Sequence, residues 1–432
     1  MHPRVKPALR RGWRDLTTVQ FGVARAHAVV LGPMDPATAG LLDLIDGTRG
    51  PAMLREEGER IGLRHDHVDL LLSRLTEAGL LDDATGGGES ANALRKRTDV
   101  LDRLRPDLAS LSLTDREPTG GIRRLTARRG MRVQVRGAGR VGATIAAVLS
   151  GAGLGRVDVL DGGRVEPSDV APGGLPAEAI GERRDESARR LVRRCAPGPA
   201  PRRARPFRTS RSPFTEASPT ATGPGTSAGA APSAALSAAP GATDGVERPA
   251  DPGLSLVVVA PRDGLAAYAP DPRLAVPYMQ SGTPHLYAGV IEGTGVVGPL
   301  VLPGASACAG CLDLGRAERE LAWPRMLAQW RSGRSRPVQA CDIGLATTVA
   351  GLAATHALAF LDGGLPASTG TRWELPLPEL DWRPEPVAPH RECTCGAARR
   401  RNPLGEWERV LDGPDEREDT PMEGEPHETM AG

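Results

Sequence analysis

Apolar residues in this chain fall into two kinds of run, and the kinds alternate. Short blocks read as buried strands: Arg132-Val-Gln-Val-Arg136, Val157-Asp-Val-Leu-Asp161, Leu254 to Ala260, His285 to Ile291 and Gly295 to Leu302. Between and around them apolar positions recur at helical spacing. Val68, Leu71, Leu72 and Leu75 share one face of a helix predicted over Asp66 to Ala78. A helix through Leu41, Leu42, Leu44 and Ile45 is expected to start at Asp35-Pro36, a capping acid followed by a proline at the first helical position, and to stop at Asp46-Gly47. A further helix is predicted from Pro51 to Ile61, and His27 to Leu31 reads as a strand before these three helices. The apolar stretch Gly344 to Leu361 carries Thr347, Thr348, Thr355 and His356, so it is expected as a core helix and not a membrane span.

Residues 1–20 look basic and irregular. The pattern then divides the chain into 1–90, a small winged-helix-like unit, and 93–130, a connective helical segment. An α/β nucleotide-binding fold follows over 131–195 and 254–405. Residues 196–253 are rich in Pro, Ala, Ser, Thr and Gly, cannot supply a core and are expected to be disordered, as is the acidic tail 413–432.

The most specific chemistry lies where the first strand of the α/β region ends. Gly137-Ala-Gly139-Arg140-Val-Gly142 follows Arg132 to Arg136 and leads into the apolar helix Ala143 to Leu149. Strand, glycine turn and helix make a Rossmann-type unit, in which exposed N–H groups at the helix start face a phosphate. Asp161, about twenty residues beyond Gly142, stands at the offset of a ribose-hydroxyl acceptor. The spacing alone does not choose between ATP and a nicotinamide dinucleotide, so an NAD-dependent oxidoreductase stays open at this point.

Four of the six cysteines form two close pairs, Cys308-Ala-Gly-Cys311 and Cys393-Thr-Cys395, each beside turn-forming glycines. Two such knuckles suit a tetrahedral zinc whose four positions are all protein thiolates, hence structural. A redox C-x-x-C is the rival reading and lacks its thioredoxin-like surroundings. His390 is expected outside the ligand set. Cys195 and Cys341 read as packed thiols, with nucleophile the alternative.

A net charge of +1 gives no broad basic surface for nucleic acid or membrane. Between Ala26 and Asp83 five arginines face eleven acids, the reverse of what a DNA-binding winged helix needs. The Arg-rich start is not followed by an apolar segment, so a cytoplasmic location is expected.

With these residues together, the region 131–400 resembles the ThiF-type, ubiquitin-activating-enzyme-like adenylyltransferase family. Gly181-Glu-Arg-Arg184-Asp-Glu-Ser-Ala188 looks like that family's Gly-x-x-Lys-x-x-x-Ala segment. Asp263, after a strand, matches its magnesium-binding acid, with a simple turn acid as the other reading. The resemblance implies ATP with magnesium, bound by Gly137, Gly139, Arg140, Gly142 and Asp161. It also implies Asp263 and Arg184 at the reacting centre, adenylation of a peptide or protein C-terminal carboxylate, and zinc on Cys308, Cys311, Cys393 and Cys395. This chain differs from the family at four places: Asp169 stands for Asn, Pro172 near an Arg, Arg184 for Lys, and Arg140 where a further Gly is common. Adenylation needs phosphate charge neutralised, so these differences also leave open a non-catalytic scaffold with a degenerate nucleotide site.

The whole chain more specifically resembles the actinobacterial ThiF-type proteins of ribosomal-peptide natural-product clusters. Thr18-Val-Gln-Phe-Gly22, Leu44-Ile-Asp-Gly-Thr48, Gly79-Leu-Leu-Asp82, Gly298-Pro-Leu-Val-Leu-Pro303 and Pro389-His-Arg-Glu-Cys-Thr-Cys-Gly396 carry that likeness. It implies a leader or precursor peptide bound at residues 20–83 as an added strand, a cyclodehydratase partner, and a homodimer.

Overall fold

The computed structural model describes residues 1–198, 253–333 and 338–400. The expected disordered insert and acidic tail lie, apart from the edges of the insert, outside the described residues.

The first eighty residues form a small layered unit. Strand β1 (Pro3–Val5) runs antiparallel to β5 (Leu81–Asp83), while β2 (Arg11–Trp13), β3 (Val19–Phe21) and β4 (Val29–Leu31) make a separate antiparallel sheet in that order. Residues 1–20 are therefore not irregular. Their strands are three residues long, too short to display a period of two, and β1 is defined by a partner almost eighty positions away. Helices α1 (Pro36–Leu44), α2 (Pro51–Arg60) and α3 (His65–Glu77) follow. Asp35 caps α1 by accepting from the Thr38 N–H at 2.7 Å, with Pro36 next to it, as the sequence indicates. Val68, Leu71 and Leu75 of α3 join Val19, Phe21, Leu41, Leu54 and Leu81 in one apolar cluster.

Helices α4 (Gly88–Arg95), α5 (Thr98–Thr114) and α6 (Gly120–Arg128) pack around their own cluster, which includes Leu94, Leu104, Ile122 and Leu125. At the end of α6 the buried Arg128 makes a two-pronged bond to Asp362, with Nε and Nη2 2.7 and 2.6 Å from the two carboxylate oxygens. That pair ties the connecting helices to the far end of the α/β layer.

The main sheet has the order β12-β11-β10-β9-β8-β6-β7. Its strands are β6 (Arg132–Arg136), β7 (Arg156–Leu160), β8 (Leu256–Val259), β9 (His285–Ile291), β10 (Thr294–Val301), β11 (Thr371–Pro376) and β12 (Arg383–Pro386). From β7 to β9 the strands are parallel, and β10 to β12 extend the sheet antiparallel. Helix α7 (Arg140–Gly151) and the core helix α13 (Ile343–Leu361) cover the sheet, and their alanines and valines fill the largest apolar cluster. The smallness of Ala143, Ala146, Ala350, Ala353 and Ala354, all buried, lets the two helices lie close to each other and to the strands. Helices α8 (Arg184–Cys195), α9 (Gly264–Tyr268), α10 (Pro272–Ser281), α11 (Ala309–Arg319) and α12 (Trp323–Ser332) complete the described elements.

Strand β6 is first in this unit, yet β7 lies on one side of it and β8 on the other. The chain reverses its direction of progress across the sheet at that point. A crevice outside the C-terminal ends of β6, β7 and β8 follows from that reversal.

Candidate functional site

The glycine turn sits at the mouth of this crevice. Gly137 has φ 111°, open to glycine and strained for other residues, and a Cβ there would stand 1.9 Å from the Ala260 carbonyl oxygen. A Cβ on Gly142 would lie 2.2 Å from the Gly137 oxygen. Both glycines are thus required by backbone packing between the turn, α7 and β8. Helix α7 begins at Gly139 with no side-chain cap, so its first N–H groups stay available to an anion.

Asp161 lies just beyond β7 and is nearly buried. One carboxylate oxygen accepts the Ala138 N–H at 2.6 Å and the other accepts Arg184 Nη1 at 3.1 Å. A carboxylate offers about four lone-pair positions, so it retains room for a ribose hydroxyl. Arg184, the first residue of α8, also donates to the Gly162 carbonyl at 2.6 Å, Asp169 at 2.9 Å and Glu166 at 3.4 Å. Gly163 has φ 76° and leaves Arg184 its space, since a Cβ there would stand 3.3 Å from Nη1.

Asp169 changes meaning in this setting. Its side chain is 3% exposed and accepts Arg184 Nε at 2.9 Å, Arg262 Nε at 2.6 Å and the Glu166 N–H at 2.9 Å. The acid that replaces the family's Asn is neutralised by two guanidinium groups. Arg262 also donates to Glu166 at 2.7 Å. Burial alone would lower the Arg262 pKa, but the bonds to Glu166 and Asp169 outweigh it and raise it above its ordinary value. Sequence reasoning missed Glu166 and Arg262. The available signal for Arg262 was its place beside Asp263 at the end of a strand adjoining the glycine turn.

The remaining predicted residues divide. Asp263 is exposed and caps α9 through the Leu265 N–H at 3.0 Å, at the C-terminal side of β8. Arg140 reaches the Cys341 carbonyl at 2.7 Å and so fastens the segment before α13 to the glycine turn. Pro172 occupies an exposed turn and supplies no cation. Cys195 ends α8, and burial pushes the Cys341 thiol up, away from the thiolate a nucleophile needs.

The four paired cysteines come together. Their sulfur atoms lie within 4.8 Å of one another, with Cys308 to Cys393 at 3.5 Å, Cys311 to Cys395 at 3.4 Å and Cys308 to Cys311 at 3.9 Å. Thiolates at the corners of a tetrahedron around zinc stand about 3.8 Å apart, so the set could hold such a metal. Gly310 is needed between them, because a Cβ there would meet Cys393 Sγ at 3.0 Å. His390 points to Glu318, at 2.8 Å, and stays outside the sulfur set.

Residues 118–216 match the model of the ThiF family. The chain is similar in structure to E. coli MccB solved with MccA, with 12% identity and a TM-score of 0.61 over 91% of this chain and 99% of that one. MccB solved with ATP gives 12% identity and a TM-score of 0.59 over the same shares. PaaA gives 15% identity and a TM-score of 0.58 over 89% of this chain and 99% of that chain. No curated protein sequence matches the chain.

Proposed function

We propose that this chain, whose residues 118–216 match the ThiF family, is an E1-like protein that binds magnesium-ATP and activates the C-terminal carboxylate of a precursor peptide by adenylation. The observation that carries this reading is the uncapped start of α7 at the reversal of strand order, with Asp161 at the neighbouring strand end. Phosphates would lie on the α7 N–H groups and the ribose on Asp161. Asp263 would hold magnesium, which supplies charge neutralisation at the phosphates. Arg184 would keep Asp161 and the loop 162–169 in place. Likeness to MccB, solved with ATP and with MccA, supports the same direction.

The precursor peptide would be recognised by the first eighty residues. Strand β4 is an edge of its sheet: Val29 and Leu31 pack toward the apolar cluster, and Val30 stands 44% exposed. A peptide added beside β4 would gain backbone hydrogen bonds there. The four cysteines would hold a structural zinc that joins the segment after β12 to α11. The cytoplasm, a homodimer and a cyclodehydratase partner fit this role.

One observation favours a second reading. Pro172, near the place of the family's phosphate-contacting Arg, sits in an exposed turn and supplies no cation, as in a scaffold that presents a peptide after catalysis has lapsed. Calorimetric titration with magnesium-ATP and, separately, NAD separates the cases. Saturable ATP binding with no NAD binding is expected. No ATP binding leaves the scaffold, and NAD binding restores the oxidoreductase.

A further inference from the structure

Among the described residues, Arg262 is the one cation of the crevice that combines access to solvent with a place over the second glycine. A Cβ added to Gly139 would stand 2.9 Å from its Cγ, so the missing side chain at 139 makes room for the stem of Arg262. In a mononucleotide site the second glycine is where phosphate passes closest to the backbone. Arg184 is unsuited to that task, because its side chain is 7% exposed and committed to Asp161, Gly162, Glu166 and Asp169. Arg262 is 29% exposed and spends only Nε and Nη2, on Asp169 and Glu166.

The two acids are not equivalent. Asp169 is buried and is held from the other side by Arg184, so it fixes the angle of Arg262. Glu166 is 56% exposed, and an exposed ion pair contributes little because water screens it. A polyphosphate can replace Glu166 on Nη2, since a guanidinium fork fits two phosphate oxygens as well as it fits a carboxylate.

We propose that Arg262 is the phosphate-binding residue of this site, oriented by Asp169 and held at rest by Glu166, which the nucleotide's phosphates displace. This deepens the ATP reading and rests on it. It also gives a purpose to the acid at 169: a carboxylate there, and not an amide, is what can hold two arginines together.

The test uses the full chain and three probes: magnesium-ATP, AMP and inorganic tripolyphosphate, each titrated calorimetrically. Arg262→Ala is expected to weaken ATP and tripolyphosphate binding tenfold or more and AMP less than twofold. Arg262→Lys recovers part of the loss, because it restores charge without the fork. Gly139→Ala, which pushes on the Arg262 stem, follows Arg262→Ala. Glu166→Gln keeps Arg262 and tightens ATP two- to fivefold, a readout that stands if Arg262→Ala does not fold. Equal losses for ATP and AMP, or ATP affinity unchanged by Arg262→Ala and not raised by Glu166→Gln, overturn the proposal while leaving ATP binding intact. A wild-type chain that binds neither ATP nor AMP overturns the ATP reading and this inference with it.

Discussion

At the scale of single residues, buried charge is the costly element here, and each instance has its partner. Asp169 lies between Arg184 and Arg262, and Arg128 lies on Asp362. Removing one member of such a set leaves the other charge uncompensated, which costs more than the pair contributes. His285 solves the same problem by staying neutral. It is fully buried between Tyr278 and Tyr287, donates from Nδ1 to the Thr283 carbonyl at 3.2 Å, and has no partner for Nε2 among the described residues. Burial pushes its pKa down to about 4. The unfolded chain therefore binds this proton first, near the ordinary histidine value of about 6.5, and stability is present above that value and lost as pH falls toward 4. Between pH 7 and 5 the loss from this group is about 2 kcal/mol. Urea unfolding at the two pH values should show that much more acid sensitivity in the wild type than in His285→Asn. Equal sensitivity would contradict it. In the sequence, the strand that ends beside Asp161 was legible from its apolar run. The neighbours of Asp161 were not, because Asp169 and Arg262 are 93 positions apart and no local pattern relates them.

At the scale of elements, caps and long apolar runs were legible because their causes are local. Asp35 caps α1 at the expected residue, and Asp342 caps α13 through the Leu345 N–H. Strands β9 and β10 fall on their apolar runs to within a residue or so. The three-residue strands β1 to β3 and the proline-bearing β11 and β12 were not legible, since only their pairing makes them strands. The glycine turn was read correctly as an element, but its glycines turn out to serve different ends. Gly142 faces the Gly137 carbonyl, and Gly139 faces the Arg262 side chain. Gly142→Ala should therefore cost at least about 1–3 kcal/mol by overpacking against backbone. Gly139→Ala should cost markedly less, because a side chain can move where backbone cannot. Thermal unfolding of the two variants checks the order, and equal destabilisation would show that Arg262 does not yield.

At the scale of the whole molecule, two side-chain clusters join segments far apart in the chain. The bond from Arg128 to Asp362 joins residues 234 positions apart, and the cysteine set joins α11 to the chain after β12, 85 positions on. On the four-thiolate arrangement, metal analysis of Cys308→Ser should show about one equivalent of zinc fewer than the wild type, with a lowered Tm. Retained zinc would reject the site. The activity proposed for this crevice is activation of a carboxylate. Its most direct measurement is exchange of labelled pyrophosphate into ATP by the full-length protein, with a synthetic peptide library carrying free C-terminal carboxylates and the same library amidated. Exchange that needs the free carboxylate and disappears with the amidated library is the result predicted. Exchange that ignores amidation, or no exchange with either library, would contradict it.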